Sequence, residues 1–154
     1  MSQVAKKIQD LNLEIPAAAK PAANYVPYII SGNQVIISGQ IPFVNGSVED
    51  QVGKLGDNFS IEQGKAVAKI CAINVISQLR DACNGNLDKA KCVRLGVFVN
   101  STPDFTQHPA VANGASDLIA EVFGERGKHA RAAVGVAALP FGVAVEVEAI
   151  FEIE

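Results

Sequence analysis

Residues 129–154, HARAAVGVAALPFGVAVEVEAIFEIE, decide the fold of this chain. Two alternating apolar segments flank a Pro and a Gly, which predicts two strands joined by a short connection at Leu139–Gly142. Successive side chains of a strand point to opposite faces, so Arg131 shares its face with the small residues at 133, 135 and 137. Pairing the strands with their valines on a common face places Arg131, Glu146 and Glu148 together on the other face.

Arg131 stands over small side chains that fill little of the volume above a strand. Either another chain packs closely there, or a small ligand binds. A guanidinium is a planar, permanently charged fork that matches a carboxylate, so Arg131 indicates a small organic anion as the ligand. The alternative is an ordinary surface ion pair between Arg131 and a glutamate, which would have no function of its own.

Several further blocks of sequence accompany this stretch. The pattern Arg-(Ser/Ala)-x-Val-x-Val-x-x-Leu-Pro starts at Arg131, and Val-Glu-Val-Glu-Ala-Ile covers residues 145–150. Upstream lie Tyr25-Val26, then Ile-Ile-Ser-Gly-Gln-Ile-Pro at 36–42, then Val-Phe-Val at 97–99 followed by Asp104-Phe105. In this order the blocks resemble the Rid family, the YjgF-like reactive intermediate deaminases that are also labelled endoribonuclease L-PSP. The resemblance spans roughly residues 25–150.

This resemblance implies a fold, an assembly and a reaction. Members of the Rid family have a chorismate-mutase-like fold and form homotrimers with a site at each subunit interface. They hydrolyse 2-imino acids and their enamine tautomers to 2-oxo acids and ammonia. The expected partners are therefore a small 2-imino or 2-oxo carboxylate and further copies of this chain, and no cofactor is expected.

The catalytic candidates follow from the resemblance, position by position. Arg131 clamps the carboxylate, Glu146 positions or deprotonates the attacking water, and Tyr25 hydrogen-bonds near the reacting centre. Glu146 has an alternative role as a purely structural partner of Arg131.

The substrate-binding candidates beside Arg131 are Ser38, Gly39, Asn113 and Ala133. The glycine allows the backbone to approach a ligand closely, although it is equally suited to a bend at the end of a strand. Asn113 aligns with a family asparagine near the pocket, or else it satisfies a local backbone group of its helix. Ala133 stands where many members have a cysteine, which excludes thiol chemistry at this position.

Composition limits the class of protein. The 154 residues are 49% hydrophobic and 19% charged, which predicts a single domain over residues 1–154 with 1–24 as an N-terminal helical arm. A formal net charge of −3 with scattered basic residues argues against nucleic acid as a partner. No apolar run is long enough to span a membrane, and the start lacks the apolar core of a secretory signal, so a cytoplasmic location is expected.

The cysteines Cys71, Cys83 and Cys92 are interpreted as reduced thiols. Their number is odd and their spacing does not fit metal ligands, and the chain has only two histidines, so no metal site is predicted.

The N-terminal half is predicted to contain helix, hairpin and helix in that order. An amphipathic helix at 2–13 continues into an extended arm at 15–24, where Pro21 argues against a helix. A hairpin covers residues 25–41, and a loop follows at 42–59. Ser60 and Gln63 form a capping box for a long helix that ends near residues 84–85.

The C-terminal half adds a strand, a helix and the two final strands. The strand at 91–99 is predicted to place Val93, Leu95, Val97 and Val99 on one face, and a helix follows at 109–123. The complete order predicts an α+β fold, a mixed sheet with two helices packed on one face.

Two other functions remain open. A catalytically silent trimer that binds small carboxylates would need Arg131 but not Glu146. Endoribonuclease action, described for some family members, has little physical support here, because the sequence offers two histidines, no metal cluster and no basic groove.

Overall fold

Helices and strands follow one another in the predicted order. The computed structural model describes residues 1–20 and 23–154. Its main elements are α1 (Gln3–Asp10), β1 (Tyr28–Ser31), β2 (Gln34–Gln40), α2 (Ile61–Ala82), β3 (Ala90–Asn100), α3 (His108–Phe123), β4 (Ala130–Val136) and β5 (Val145–Ile153). The sheet is mixed, and α2 and α3 pack against each other and against the sheet, which confirms the predicted α+β fold.

The order of strands in the sheet corrects the predicted pairing of β4 with β5. The order is β1-β2-β5-β3-β4, so β3 lies between the two C-terminal strands. Strand β3 is antiparallel to β5 and parallel to β4. The crossover helix α3 connects β3 to β4. The connection between β4 and β5, residues 137–144, passes the end of β3, where the Asn100 N–H donates to the Ala144 carbonyl at 2.9 Å.

The same register shows that Arg131 does not share a face of the sheet with Glu146 and Glu148, so that prediction is wrong. Arg131 pairs with Leu95 of β3, whose side chain is fully buried under the helices. Phe98 of β3 pairs with both Val134 and Glu146, and it points to the opposite face of the sheet. Arg131 therefore lies on the helix-covered face, whereas Glu146 lies on the face without helices.

A β-bulge in β3 removes Val93 from the predicted apolar face of that strand, whereas Leu95, Val97 and Val99 are buried on it as predicted. Cys92 pairs with Phe151 and Arg94 pairs with Ile150, so Val93 is an extra residue on β3. The bulge shifts the alternation by one residue. Consequently Cys92 and Leu95 are both buried, and Val93 is partly exposed.

Helix α2 begins as its sequence predicts. The Ser60 hydroxyl accepts from the Gln63 N–H at 3.1 Å, and the Gln63 side chain accepts from the Ser60 N–H at 2.9 Å, which together form the capping box. The helix packs Val75, Ile76 and Leu79, all fully buried, against the sheet.

Side chains of α2 hold the N-terminal arm. Residues 13–20 form neither helix nor strand, and Pro21 lies outside the described residues. Ser77 donates to the Pro16 carbonyl at 2.7 Å, Gln78 to Ala19 at 2.8 Å, and Arg80 to Ile15 at 3.0 Å. The helix thus satisfies backbone carbonyls that an extended segment cannot satisfy internally.

Asn100 connects four segments at the end of the sheet. This side chain is 4% exposed, donates to the carbonyls of Gly53 and Val143 at 3.1 Å each, and accepts from the Lys54 ammonium at 2.6 Å. Lys54 also donates to the Ala137 carbonyl at 2.7 Å. The loop before α2 is thereby fixed to β3 and to both ends of the connection between β4 and β5.

We expect Asn100→Ala to lower the free energy of unfolding by about 2–4 kcal/mol, because two buried carbonyls and the Lys54 ammonium each lose one hydrogen bond. Chemical denaturation measures this difference. Asn58→Ala is the matched control, since the exposed Asn58 amide accepts only the Lys54 N–H at 2.8 Å. The control should change stability by less than about 1 kcal/mol, and an equal loss in both variants would contradict the connecting role of Asn100.

Asp88 fixes helix α1 to the rest of the chain. Its carboxylate accepts from the N–H of Val4 at 2.8 Å and of Gln3 at 3.0 Å, in the first turn of α1. The hydrogen bond from Val4, followed by that from Gln3, lowers the pKa of Asp88 despite some desolvation.

A lowered carboxyl pKa stabilises the folded chain above the unfolded-state pKa of aspartate, about 3.9. That contribution is lost as the pH falls through the still lower pKa of the folded state. We therefore expect Asp88→Asn to lower the Tm at pH 6, and we expect the difference from the unmodified protein to shrink below pH 4. A Tm difference that stays constant from pH 6 to pH 3 would contradict the role of the Asp88 charge.

None of the helices in the described part of the chain is both long and apolar enough to cross a membrane.

Candidate functional site

Arg131 lies at the start of β4 and is held by helix α3. Its Nη1 atom donates to the Asn113 Oδ1 at 2.8 Å and to the Ser116 hydroxyl at 3.1 Å. Asn113 and Ser116 are three residues apart and therefore lie on the same side of the helix. The structure thus places Asn113, a predicted binding residue, directly beside Arg131.

The guanidinium keeps donors for a ligand. Within the described residues, no carboxylate lies within 4.0 Å of Arg131, whereas Arg94 and Arg126 each have a glutamate partner. Both hydrogens of Nη1 are used by α3, which leaves the Nε–H and the Nη2 hydrogens as a fork. That fork has the geometry that binds two carboxylate oxygens.

Two residues that the sequence did not predict complete this environment. The Ser116 hydroxyl lies 2.9 Å from the Nε2 of His129, and the Nδ1 of His129 lies 2.6 Å from the Gly127 carbonyl. Sequence signals for both were present, because Ser116 follows Asn113 by one helical turn and His129 precedes Arg131 by two residues in an extended segment. We refer to Asn113, Ser116, His129 and Arg131 as the arginine group.

Glu146 occupies a different place, on the face of the sheet without helices. Gly39 lies in a register shift of β2 between Ile37 and Gln40, and a β-carbon added to it would collide with the Glu146 carboxylate. Burial of the Glu146 carboxyl, followed by repulsion from Glu148, raises its pKa. A carboxylate with a raised pKa is better suited to accept a proton near neutral pH than an ordinary one.

Ser38 precedes Gly39, which faces the Glu146 carboxylate, and Tyr25 precedes Val26, which Ser38 contacts. The Ser38 hydroxyl donates to the Val26 carbonyl at 2.7 Å, which ties the bulge of β2 to the segment before β1. Tyr25 is 57% exposed. We refer to Tyr25, Ser38, Gly39 and Glu146 as the glutamate group, and it contains the remaining predicted residues apart from Ala133.

Ala133 follows Arg131 on the helix-covered face of β4 and packs partly buried against the core. It offers no reactive atom. The three cysteines are free and buried, and burial raises the pKa of the Cys92 thiol to about 12. Such thiols stay protonated and do not act as nucleophiles at neutral pH.

The arginine and glutamate groups do not meet within one chain. Glu146 and Val134 are separated by the width of β3, roughly 10 Å between backbones, and Arg131 is about 10 Å further along β4. The two side chains also lie on opposite faces. A single chain therefore presents the predicted polar residues as two separate groups, one on each face of its sheet.

The face of the sheet without helices is strongly apolar for an exposed surface. Ile29 is 56% exposed, Ile36 40% and Val134 46%. Exposed apolar patches of this kind are typical of surfaces that contact another protein, a membrane or a ligand.

A large groove in the described part of the chain is lined by no residue of either group. It has a volume of about 690 Å³ and lies between the N-terminal arm, residues 43–45 and the residues of α2 from Lys69 to Asn74. Neither Arg131 nor Glu146 lines it.

Comparison with known proteins gives a consistent assignment. The chain matches, over residues 6–152, the family described as "YjgF/chorismate mutase-like, putative endoribonuclease". It is 52% identical to Protein TCP17 of Trypanosoma cruzi over 153 residues, which cover 98% of this chain and 94% of that protein. The crystal structure of Atu1372 from Agrobacterium tumefaciens, a protein with unknown function, is 42% identical, with a TM-score of 0.91 and coverage of 98% and 92%. A structure from Shewanella oneidensis is 33% identical, with a TM-score of 0.93 and coverage of 99% and 100%.

Proposed function

Because the chain belongs to the YjgF/chorismate mutase-like family, we propose that it hydrolyses 2-imino acids and their enamine tautomers to 2-oxo acids and ammonia. The observation that carries this proposal is Arg131, whose Nε–H and Nη2 fork faces no carboxylate of the described chain. A small 2-imino carboxylate supplies the matching anion.

The reaction needs a second group that handles protons. In the proposed reaction Glu146 accepts a proton from water while the water oxygen bonds to the imine carbon. Glu146 passes that proton to the nitrogen, whose double bond to carbon has become single. The proton of the new hydroxyl group then passes to the nitrogen as the carbon–oxygen double bond forms and the carbon–nitrogen bond breaks, so that ammonia leaves and the 2-oxo acid remains. Tyr25 hydrogen-bonds near the reacting carbon. The raised pKa of Glu146 supports this role, because burial and the Glu148 charge make this carboxylate a stronger proton acceptor than an exposed glutamate.

We further propose that the arginine group of one chain meets the glutamate group of the next chain in a homotrimer. Two observations support such an assembly: the groups lie at different sides of the same sheet, and the sheet face around Glu146 is apolar and exposed. A contact between two different surfaces of the same chain closes into a ring when its rotation permits. Each interface of such a ring would contain one complete site.

The direct test measures ammonia and 2-oxo acid released from freshly generated 2-iminopropionate or 2-aminoacrylate. The proposal expects hydrolysis well above the rate in buffer, without added metal or cofactor. Equal rates in the presence and absence of protein, for substrates with several side chains, would overturn it. If the protein shows no hydrolysis but binds pyruvate, it acts as a carboxylate-binding protein.

Endoribonuclease action is a separate candidate because the word is part of the family description. The formal net charge of −3 does not favour binding of a polyanion. An RNA-cleaving activity that co-purifies with the protein and persists after Arg131→Ala would support a ribonuclease site that does not use Arg131.

A further inference from the structure

Arg131 does not stand alone on its strand but ends a chain of hydrogen bonds. The chain runs from the Gly127 carbonyl to His129 Nδ1 at 2.6 Å, from His129 Nε2 to the Ser116 hydroxyl at 2.9 Å, and from that hydroxyl to Arg131 Nη1 at 3.1 Å. His129, Ser116 and Arg131 are all partly buried. Each member is therefore shielded in part from competing water.

Donor and acceptor roles in this chain are fixed from its two ends. A carbonyl only accepts, so His129 Nδ1 carries the hydrogen that faces Gly127. In the neutral imidazole Nε2 then accepts, and it orients the Ser116 hydroxyl hydrogen toward itself. Arg131 only donates, so the lone pairs of the Ser116 oxygen face the guanidinium. All four groups have compatible roles in this arrangement.

We propose that Ser116 and His129 are positioning residues that hold the Nη1 side of Arg131 against α3, so that its Nε–H and Nη2 fork is presented to the substrate carboxylate. The identity of the ligand rests on the proposed function, whereas the fixed orientation of the guanidinium does not. An arginine side chain has several rotatable bonds, and without these contacts it loses part of its affinity to the reordering of the fork on binding.

Two substitutions of His129 separate positioning from mere packing. In His129→Gln, the side-chain amide oxygen reaches the position of Nε2 and accepts the Ser116 hydroxyl. In His129→Asn, the shorter amide retains a donor for Gly127 but nothing reaches Ser116. Ser116→Ala removes the hydroxyl, and Ser116→Thr retains it.

A second Ser–His pair in the same chain provides the matched control. Ser101 and His108 lie 3.2 Å apart, Oγ to Nε2, at the opposite end of β4 beside Gly135. His108→Asn breaks a contact of the same chemistry without touching the arginine group. Thermal unfolding of all variants verifies that they are folded.

The first measurement is the Kd of pyruvate by calorimetry. We expect Ser116→Ala and His129→Asn to bind about three- to tenfold more weakly, as for the loss of one hydrogen bond. Ser116→Thr, His129→Gln and His108→Asn should bind as the unmodified protein does. Unchanged affinity in Ser116→Ala and His129→Asn would overturn the inference while the proposed function stands.

The second measurement needs no ligand. The ¹⁵N spectrum of the Arg131 side chain reports rotation of the guanidinium, which should be slow in the unmodified protein and in His129→Gln but fast in His129→Asn. If this pattern is found and pyruvate does not bind, the positioning is confirmed and the proposed function fails. Fast rotation already in the unmodified protein would overturn the inference.

Discussion

Arg131→Ala is expected to lower kcat/KM for 2-imino acids by at least about a hundredfold, because the carboxylate loses its fork and the reacting carbon is no longer held in place. Pyruvate binding should be lost in parallel. Arg131→Lys keeps the charge but not the planar fork, so it should recover only part of the activity. Steady-state kinetics and calorimetry measure both effects.

Lys128→Ala is the matched control for this loss of charge. Lys128 is exposed, three residues before Arg131, and its ammonium pairs with Glu125 at 2.8 Å. Its removal lowers the local positive charge by the same amount and should leave kcat/KM nearly unchanged. A similar fall in both variants would mean that general electrostatic attraction, rather than the Arg131 fork, accounts for binding.

Glu146→Gln is expected to lower kcat by about 10²–10⁴-fold while pyruvate still binds, because the amide fills the same volume but accepts no proton. Glu148→Gln is the control. Glu148 is two residues further along the same face of β5, and its carboxylate pairs with Arg94 at 3.5 Å. Loss of pyruvate binding together with turnover in Glu146→Gln would indicate a structural role for Glu146.

The pH profile gives a second check on Glu146. A general base acts in its ionised form, so kcat/KM should fall as the pH decreases through the Glu146 pKa. Burial and the neighbouring Glu148 charge raise this pKa, so the fall should occur above the ordinary glutamate value of about 4.3. The residual activity of Glu146→Gln should lack this acidic limb, and an unchanged limb would assign the titration to another group.

Local rules predicted most helices and strands correctly. The Ser60 and Gln63 capping box located the start of α2, and Pro109 lies in the first turn of α3 as its pattern indicated. These signals depend on neighbours within a few residues, so the sequence contains them in full. Leu95, Val97 and Val99 of β3 share a buried face as predicted, and only Val93 was assigned to the wrong face, because the bulge there depends on pairing with β5, which alternation alone does not show.

The main error of the sequence-based prediction was the pairing of β4 with β5, which β3 separates. Alternation shows which side chains of one strand share a face, but it does not show which strand lies alongside. The signal that would have corrected the error was the order β3, α3, β4, because a helix between two strands indicates a parallel crossover. With β4 placed beside β3, Leu95 opposes Arg131, and the arginine moves to the face opposite Glu146.

The candidate site is divided for the same reason. The family resemblance predicted Arg131, Asn113 and Glu146 as separate positions. Within one chain only Arg131 and Asn113 are in contact. The position of the glutamate group of a second copy depends on how the chains assemble. Contacts between chains leave no periodicity in the sequence, so the proposed assembly rests on the exposed apolar side chains of the face that carries Glu146.

Mixing two inactive variants tests the shared site most directly. Arg131→Ala and Glu146→Gln are co-expressed with different tags, and doubly tagged assemblies are isolated. If each site takes Arg131 from one chain and Glu146 from its neighbour, a trimeric ring that contains both variants has one intact interface, so about a third of the sites are restored. The account predicts recovery of about that share of the unmodified activity. Mixed assemblies no more active than the separate variants would contradict it.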